Sequence, residues 1–336
     1  MTCVLVLFVL FVHTGEIYRG FRGIASTRAA PGDDATRDVD GARERRGGRR
    51  GAVARGGGPS ATTRRARATT RRRECECEWE RDDDDDARGG VGQVICAKLH
   101  ARGYDVGAVS RGRGTEETTT TGPRSVGGVD CRDARSIEAS GAFDGDVEAV
   151  VCCLGTTAFP SARWRDEDGK FTNGPEATDY VGARNVVEAT KKLAPNLKRF
   201  VFVSSVGVLR TNVMPFVVLN AFGVLKWKRK GEECVENSGL PYTILRPGRL
   251  TDGPYTSYDL NTLLKATSGA RRDVQIGGGD DKLLPEATSR LVVAEAACAA
   301  LVCASAAGRA YELGSTEGGD GPQDDVQKWQ KLFDSV

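Results

Sequence analysis

From Gly89 to the carboxyl terminus, apolar positions switch repeatedly between short unbroken runs and stripes spaced three or four residues apart. That switching between a β-type and a helical period predicts strands alternating with helices, the pattern of a parallel sheet covered on both faces. Val91, Ile95 and Leu99 share one helical face that stops at Gly103, and Tyr104–Ser110 follows as a strand. Val126–Cys131 is a second strand, and Val147–Leu154 a third that is apolar enough for burial on both faces. A helix over 176–193 presents Val186, Ala189 and Leu193, then come a strand over Arg199–Ser205, a helix over Lys226–Asn237 and a strand over Tyr242–Arg246 ended by Pro247-Gly248. The rhythm loosens over 249–284, a stretch rich in Gly, Asp and Thr where enzymes of this architecture place a substrate-side excursion. Leu291, Ala294, Cys298 and Leu301 restore a helical stripe, Ala310–Leu313 is a last strand, and Val326, Trp329 and Phe333 line a closing helix. These elements predict an α/β fold, a doubly wound parallel sheet forming a single domain over 86–336.

Residues 1–85 do not share the rhythm. After the apolar run Val4–Val12 they hold few aliphatics and many Arg, Gly, Thr and Asp, too little to bury a core, and are expected to form a disordered leader. The apolar run resembles the core of a secretion signal but lacks a preceding Lys or Arg. The Arg-, Thr- and Ala-rich stretch after it instead resembles an organellar transit peptide, from which Asp33, Asp34, Asp38 and Asp40 depart. Val4–Val12 falls short of the roughly 20 residues that cross a bilayer, so no integral membrane span is expected. The net charge of +2 conceals a basic block over 19–73 that an acidic block over 74–86 nearly cancels. No aromatic residue lies between Arg22 and Arg73 to stack on a base, which argues against a nucleic-acid partner. The 10 cysteines are scattered, mostly within apolar runs, and read as small buried hydrophobes of a reducing compartment. Cys75 and Cys77 have no second Cys/His pair nearby, so no metal site is expected.

Candidate chemistry starts at Gly89-Gly90-Val91-Gly92, which opens the first helix and would let backbone N–H groups approach a pyrophosphate favoured by the helix dipole. The following strand ends in Ser110-Arg111, where a dinucleotide fold meets the adenosine ribose. An arginine there pairs with a 2′-phosphate and favours NADP over NAD.

Several longer segments carry a resemblance: Gly155-Thr-Thr-Ala-Phe-Pro160, Val203-Ser-Ser-Val-Gly207, Asn220–Lys226 and the long run Ser238–Lys265. Over about 89–336 the chain resembles the atypical short-chain dehydrogenase/reductases, specifically plastid NAD(P)-binding Rossmann proteins of plants and algae. The resemblance implies that the glycine loop and Arg111 hold the cofactor together with Gly155, Thr156, Ser204 and Lys228, and that Ser205 and Lys228 are the catalytic candidates. Val224 stands where the proton-donating tyrosine of the wider group would be, four residues before Lys228. Tyr255 and Tyr258 are alternatives on a later loop, beside a pocket lined by Leu250, Tyr255 and Leu263.

A second departure is sharper. The family's glycine loop follows a buried first strand, yet Asp82–Asp86 stand in that place, and burying even one unpaired carboxylate is very costly. The first strand therefore reads as missing or replaced. Either a wrongly joined exon or translated non-coding stretch supplies the leader, or the fold is degraded and no longer binds a dinucleotide. The expected function is an NADP(H)-dependent oxidoreductase of a small carbonyl or quinone-like substrate working without a tyrosine acid. Its alternative is a non-catalytic NADP(H)-sensing assembly or regulatory protein. The expected location is the chloroplast, with the mitochondrion as alternative, and the expected association is peripheral, with a thylakoid surface or another protein.

Overall fold

The computed structural model describes residues 9–13, 90–111, 124–143, 146–160, 164–166, 168–251 and 272–336, the first of these as backbone only. The chain divides into a unit formed by 1–27 with 82–336 and a second unit, 28–81, outside the described residues. Among its described residues the first unit holds ten strands: β1 (Val9–His13), β2 (Val106–Val109), β3 (Arg124–Val126), β4 (Val147–Cys152), β5 (Arg199–Val203), β6 (Tyr242–Pro247), β7 (Arg249–Thr251), β8 (Arg272–Gly277), β9 (Ala287–Ser289) and β10 (Arg309–Glu317). Its helices are α1 (Gly90–Ala101), α2 (Ala134–Ala139), α3 (Ala183–Leu193, continuing a π-helical turn over Glu176–Gly182), α4 (Phe216–Leu219), α5 (Val224–Glu236), α6 (Arg290–Ala300) and α7 (Val326–Asp334).

Eight strands form one sheet in the order β3-β2-β1-β4-β5-β6-β10-β8, and β7 and β9 form a small parallel pair. Pairing is parallel from β4 through β5 and β6 to β10, and between β2 and β3. Along β5, Val201 and Val203 enter one core, with α1, α6 and α7, while Phe200 and Phe202 enter the other, with α3. Both faces are thus apolar, which is why β4, β5 and β6 are readable as predominantly hydrophobic runs.

The centre of the sheet corrects one expectation. The slot between β2 and β4 is filled by Val9–His13, running antiparallel to both neighbours, with Leu10 opposite Ala108 on one side and Val151 on the other. The first strand is therefore replaced rather than missing, and this part of the leader is a strand. The physical reason is plain: the slot faces two rows of backbone donors and acceptors that need partners, and Val4–Val12 is the apolar, β-prone run available upstream of α1. Asp82–Asp86 and the rest of residues 1–85 lie outside the described residues. The excursion over 249–284 resolves at its ends into β7 and β8, while 252–271, including Tyr255, Tyr258 and Leu263, lies outside the described residues. Leu250 packs against the core that holds α1 and α6.

Helix α1 is buried along 91–99, including Lys98, whose ammonium lies 3.4 Å from Glu295 on α6 and 3.0 Å from Asp324. Burial pushes the Glu295 carboxyl up to about 7, more than Lys98 pulls it down. The folded chain therefore holds this proton where the unfolded chain, near 4.5, has lost it, so stability falls as pH rises from about 4.5 to 7 and the penalty is complete above that. Glu295→Gln is expected to flatten that slope, as read from urea midpoints measured across the window.

Candidate functional site

Side chains expected at the site come from the carboxyl ends of neighbouring strands, the edge where open α/β sheets bind ligands. After β4, the chain continues through Gly155 and Thr156 and meets two residues from elsewhere. Lys228 reaches in from α5, and Asp179 from the π-helical turn that precedes α3. The Lys228 ammonium lies 2.8 Å from Asp179 Oδ1 and donates to the Leu154 carbonyl at 3.2 Å. The Thr156 hydroxyl donates to Asp179 Oδ2 at 2.5 Å, and the Thr156 N–H donates to the same oxygen at 3.3 Å. Asp179 is fully buried and Lys228 nearly so, at 11% side-chain exposure.

Two glycines make this approach possible. A Cβ on Gly155 would sit 3.0 Å from Lys228 Nζ, and one on Gly231 would come within 2.5 Å of the Asp179 carbonyl, forcing α5 off the π-helical turn. A side chain at either position would displace the lysine.

A second cluster occupies the ends of β2 and β3. Arg111, Asp130, Arg132, Leu154, Thr178 and Gly182 line a cavity there. Arg132 is bonded to Asp130, with Nε donating at 2.8 Å, and it also donates to the Thr172 carbonyl at 3.1 Å. These bonds from Arg132 hold the Asp130 carboxyl below its ordinary value, although burial opposes them. Burial and the neighbouring Arg132 cation lower Arg111. Two guanidinium groups beside one carboxylate leave a net positive cavity, the electrostatics a phosphate needs.

The structure brings Gly155, Thr156 and Lys228 into one cluster and sets Arg111 at the other. Ser110 ends β2 with its N–H on the Val126 carbonyl and its own carbonyl accepting from Val129. Gly90, Val91 and Gly92 form the first turn of α1, and Gly89 lies outside the described residues. Ser204 follows β5 with its hydroxyl buried and without a hydrogen-bond partner. The Ser205 hydroxyl donates to the Val206 carbonyl at 3.1 Å. Among the described residues no hydrogen bond joins Ser204 or Ser205 to Lys228. Val224 is 5% exposed and packs with Val206, Val208, Phe216 and Leu225, so the tyrosine's place is an apolar wall.

Beside this wall the Phe159 and Phe222 rings meet edge to face at 6.1 Å, and Trp164 meets Phe222 at 6.0 Å, its indole N–H donating to Thr157. Phe159 and Phe222 remain about half exposed.

Reading the sequence missed Asp130, Arg132 and Asp179. The signal for Asp179 was present: it falls on the helical stripe of Ala183, Val186 and Thr190, and an acid on an otherwise buried face asks for a buried partner. Asp130 lies inside the expected strand Val126–Cys131, whereas the structure ends β3 at Val126 and leaves Asp130 in the irregular segment after it.

The residues fit a dinucleotide: a net positive cavity at one end and a lysine with a donor to spare at the other. Comparisons with known proteins agree. A chloroplastic protein of Arabidopsis thaliana is 32% identical over 263 residues, covering 74% of this chain and 73% of that protein. Sanguinarine reductase of Eschscholzia californica is 31% identical over 183 residues, covering 53% of this chain and 58% of that protein. The chloroplastic protein TIC 62 of Oryza sativa subsp. japonica is 34% identical over 126 residues, 37% of this chain, and the match spans 23% of its length. Among solved structures, a Bacillus halodurans protein assigned as an NAD-dependent epimerase/dehydratase aligns with a TM-score of 0.50 at 21% identity, over 74% of this chain and 96% of that one, a likeness of fold. The NAD(P)H-binding family profile matches residues 87–302, which include α1, both polar clusters and α6, and the chain belongs to that family.

Proposed function

We propose that the protein is an NADP(H)-dependent oxidoreductase of the plastid that reduces a small quinone-like or carbonyl acceptor without a tyrosine acid. The observation that carries this reading is the placement of the Arg111 and Lys228 clusters along the same carboxyl edge of the sheet. Arg111 would pair with the 2′-phosphate, and the Lys228 ammonium would hold the nicotinamide ribose. NADPH, when bound, supplies a hydride. Hydride addition to a quinone gives the anion of a phenol whose pKa is about 10, so water can protonate it and Val224 removes nothing essential. The half-exposed Phe159 and Phe222 rings give an acceptor a flat apolar surface beside the wall. The reductase among the relatives supports the reaction class, and the chloroplastic names favour the plastid over the mitochondrion.

The test is consumption of NADPH by the full chain with a panel of benzoquinones and naphthoquinones. Steady turnover that needs both partners is expected. Tight NADPH binding with no turnover would favour the second reading, an NADPH-sensing protein that works through peripheral association with another protein. The buried Val224 and the likeness to TIC 62 point in that direction.

Arg111→Ala is expected to weaken NADPH by about tenfold or more, the scale of one charge-assisted hydrogen bond, while leaving NADH unchanged. Calorimetric titration with each nucleotide measures both. Equal losses for the two would remove Arg111 from the 2′-phosphate.

A further inference from the structure

We infer that Asp179 is the positioning residue of this site, whose carboxylate, itself anchored by Thr156, fixes the Lys228 ammonium in the arrangement that receives the cofactor ribose. The inference rests on the cofactor reading above. Three observations carry it.

The first is the destination of its bonds. The Asp179 side chain is fully buried, and its two oxygens bind Lys228 at 2.8 Å and Thr156 at 2.5 Å, both from the cluster expected to hold the cofactor. A carboxylate placed only for stability would find its partners equally well outside that cluster.

The second is a count of donors. An ammonium has three N–H groups. Asp179 takes one and the Leu154 carbonyl a second at 3.2 Å, which leaves one donor whose direction the other two determine. Asp179 also neutralises a lysine that is nearly buried. Without it, the cation would be held in place by a single carbonyl, and such uncompensated charges move or lose their proton.

The third is backbone geometry. Asp179 sits within the π-helical turn Glu176–Gly182, on the face that Ala183, Val186 and Thr190 continue as buried positions. Such turns are rare and recur at functional sites. Thr178 and Gly182 of the same turn line the cavity beside Arg111, so this one segment touches both polar clusters.

The test is a double-mutant cycle on the full chain, read by calorimetric binding of NADPH. Asp179→Asn, which keeps the shape and removes the charge, is expected to weaken NADPH about tenfold, as is Lys228→Met. In the Lys228→Met background, Asp179→Asn is expected to weaken it no further, because Asp179 acts through the lysine. Equal weakening by Asp179→Asn in both backgrounds would overturn the inference and make the residue merely structural. If Asp179→Asn does not fold, Asp179→Glu replaces it in the cycle, since it keeps the charge and displaces the carboxylate by one methylene, with the same two outcomes. A parent chain that binds neither NADPH nor NADH would overturn the cofactor reading itself, a result distinct from an additive cycle.

Discussion

Replacing Phe11 with proline is expected to lower the melting temperature of the domain sharply. Phe11 lies at the middle of β1, opposite Gly107 of β2 and Val150 of β4. With a neighbour on each side, the N–H groups at the middle of that strand lie between two ladders. Proline removes one donor from the ladder and fixes a backbone angle that an interior strand does not accommodate, which confines it to edge strands and bulges. Deleting residues 1–13 is expected to do more, because it leaves β2 and β4 with unpaired inner edges in an otherwise continuous sheet. Adding a peptide of residues 4–13 to that shortened chain is expected to restore part of the lost melting temperature. An unchanged melting temperature on deletion would show that β1 does not complete the sheet.

The second large effect lies beneath the site, in a buried ion pair between α5 and β6. Arg246 donates from Nε to Glu232 at 2.9 Å and from a terminal nitrogen at 2.8 Å, with both side chains at 2% exposure or less. It also donates to the Gly279 carbonyl at 2.5 Å and lies 3.8 Å from the buried Glu312. Arg246→Met leaves Glu232 and Glu312 with reduced compensation in a dry interior, an expected loss of about 3 kcal/mol in urea unfolding, the low end for a broken buried pair because Arg229 still reaches Glu232 at 2.8 Å. Removing both charges with Arg246→Met and Glu232→Leu is expected to recover much of that loss, since two apolar side chains need no partners. Additive losses in the double variant would contradict this.

How far these features could be read from the sequence depends on what kind of information each carries. Strands β4, β5 and β6 were legible because they are buried on both faces, so a run such as Val147–Cys152, apolar at every position but Glu148, stands out. Strand β8 was not, because at the sheet edge its exposure alternates and it lies in a stretch rich in Gly and Asp. The filling of the central slot by Val9–His13 was beyond reach for a different reason. Periodicity identifies an apolar run, but it does not say which gap a distant run will close. Arg111 was singled out by its place at a strand end, whereas Thr156 and Lys228 were singled out only through the family resemblance. Asp179 was legible in principle, as an acid on the buried stripe of Ala183, Val186 and Thr190, but its partners Lys228 and Thr156 come from distant segments that no helical period identifies.

Above all, this edge of the sheet is proposed to hold NADP(H), with Arg111 and Lys228 as its two charged anchors. Calorimetric titration of the full chain with NADPH, and separately with NADH, tests it most directly. The expected result is one NADPH per chain, with NADH weaker by about tenfold or more. Absence of binding by either nucleotide would contradict the claim.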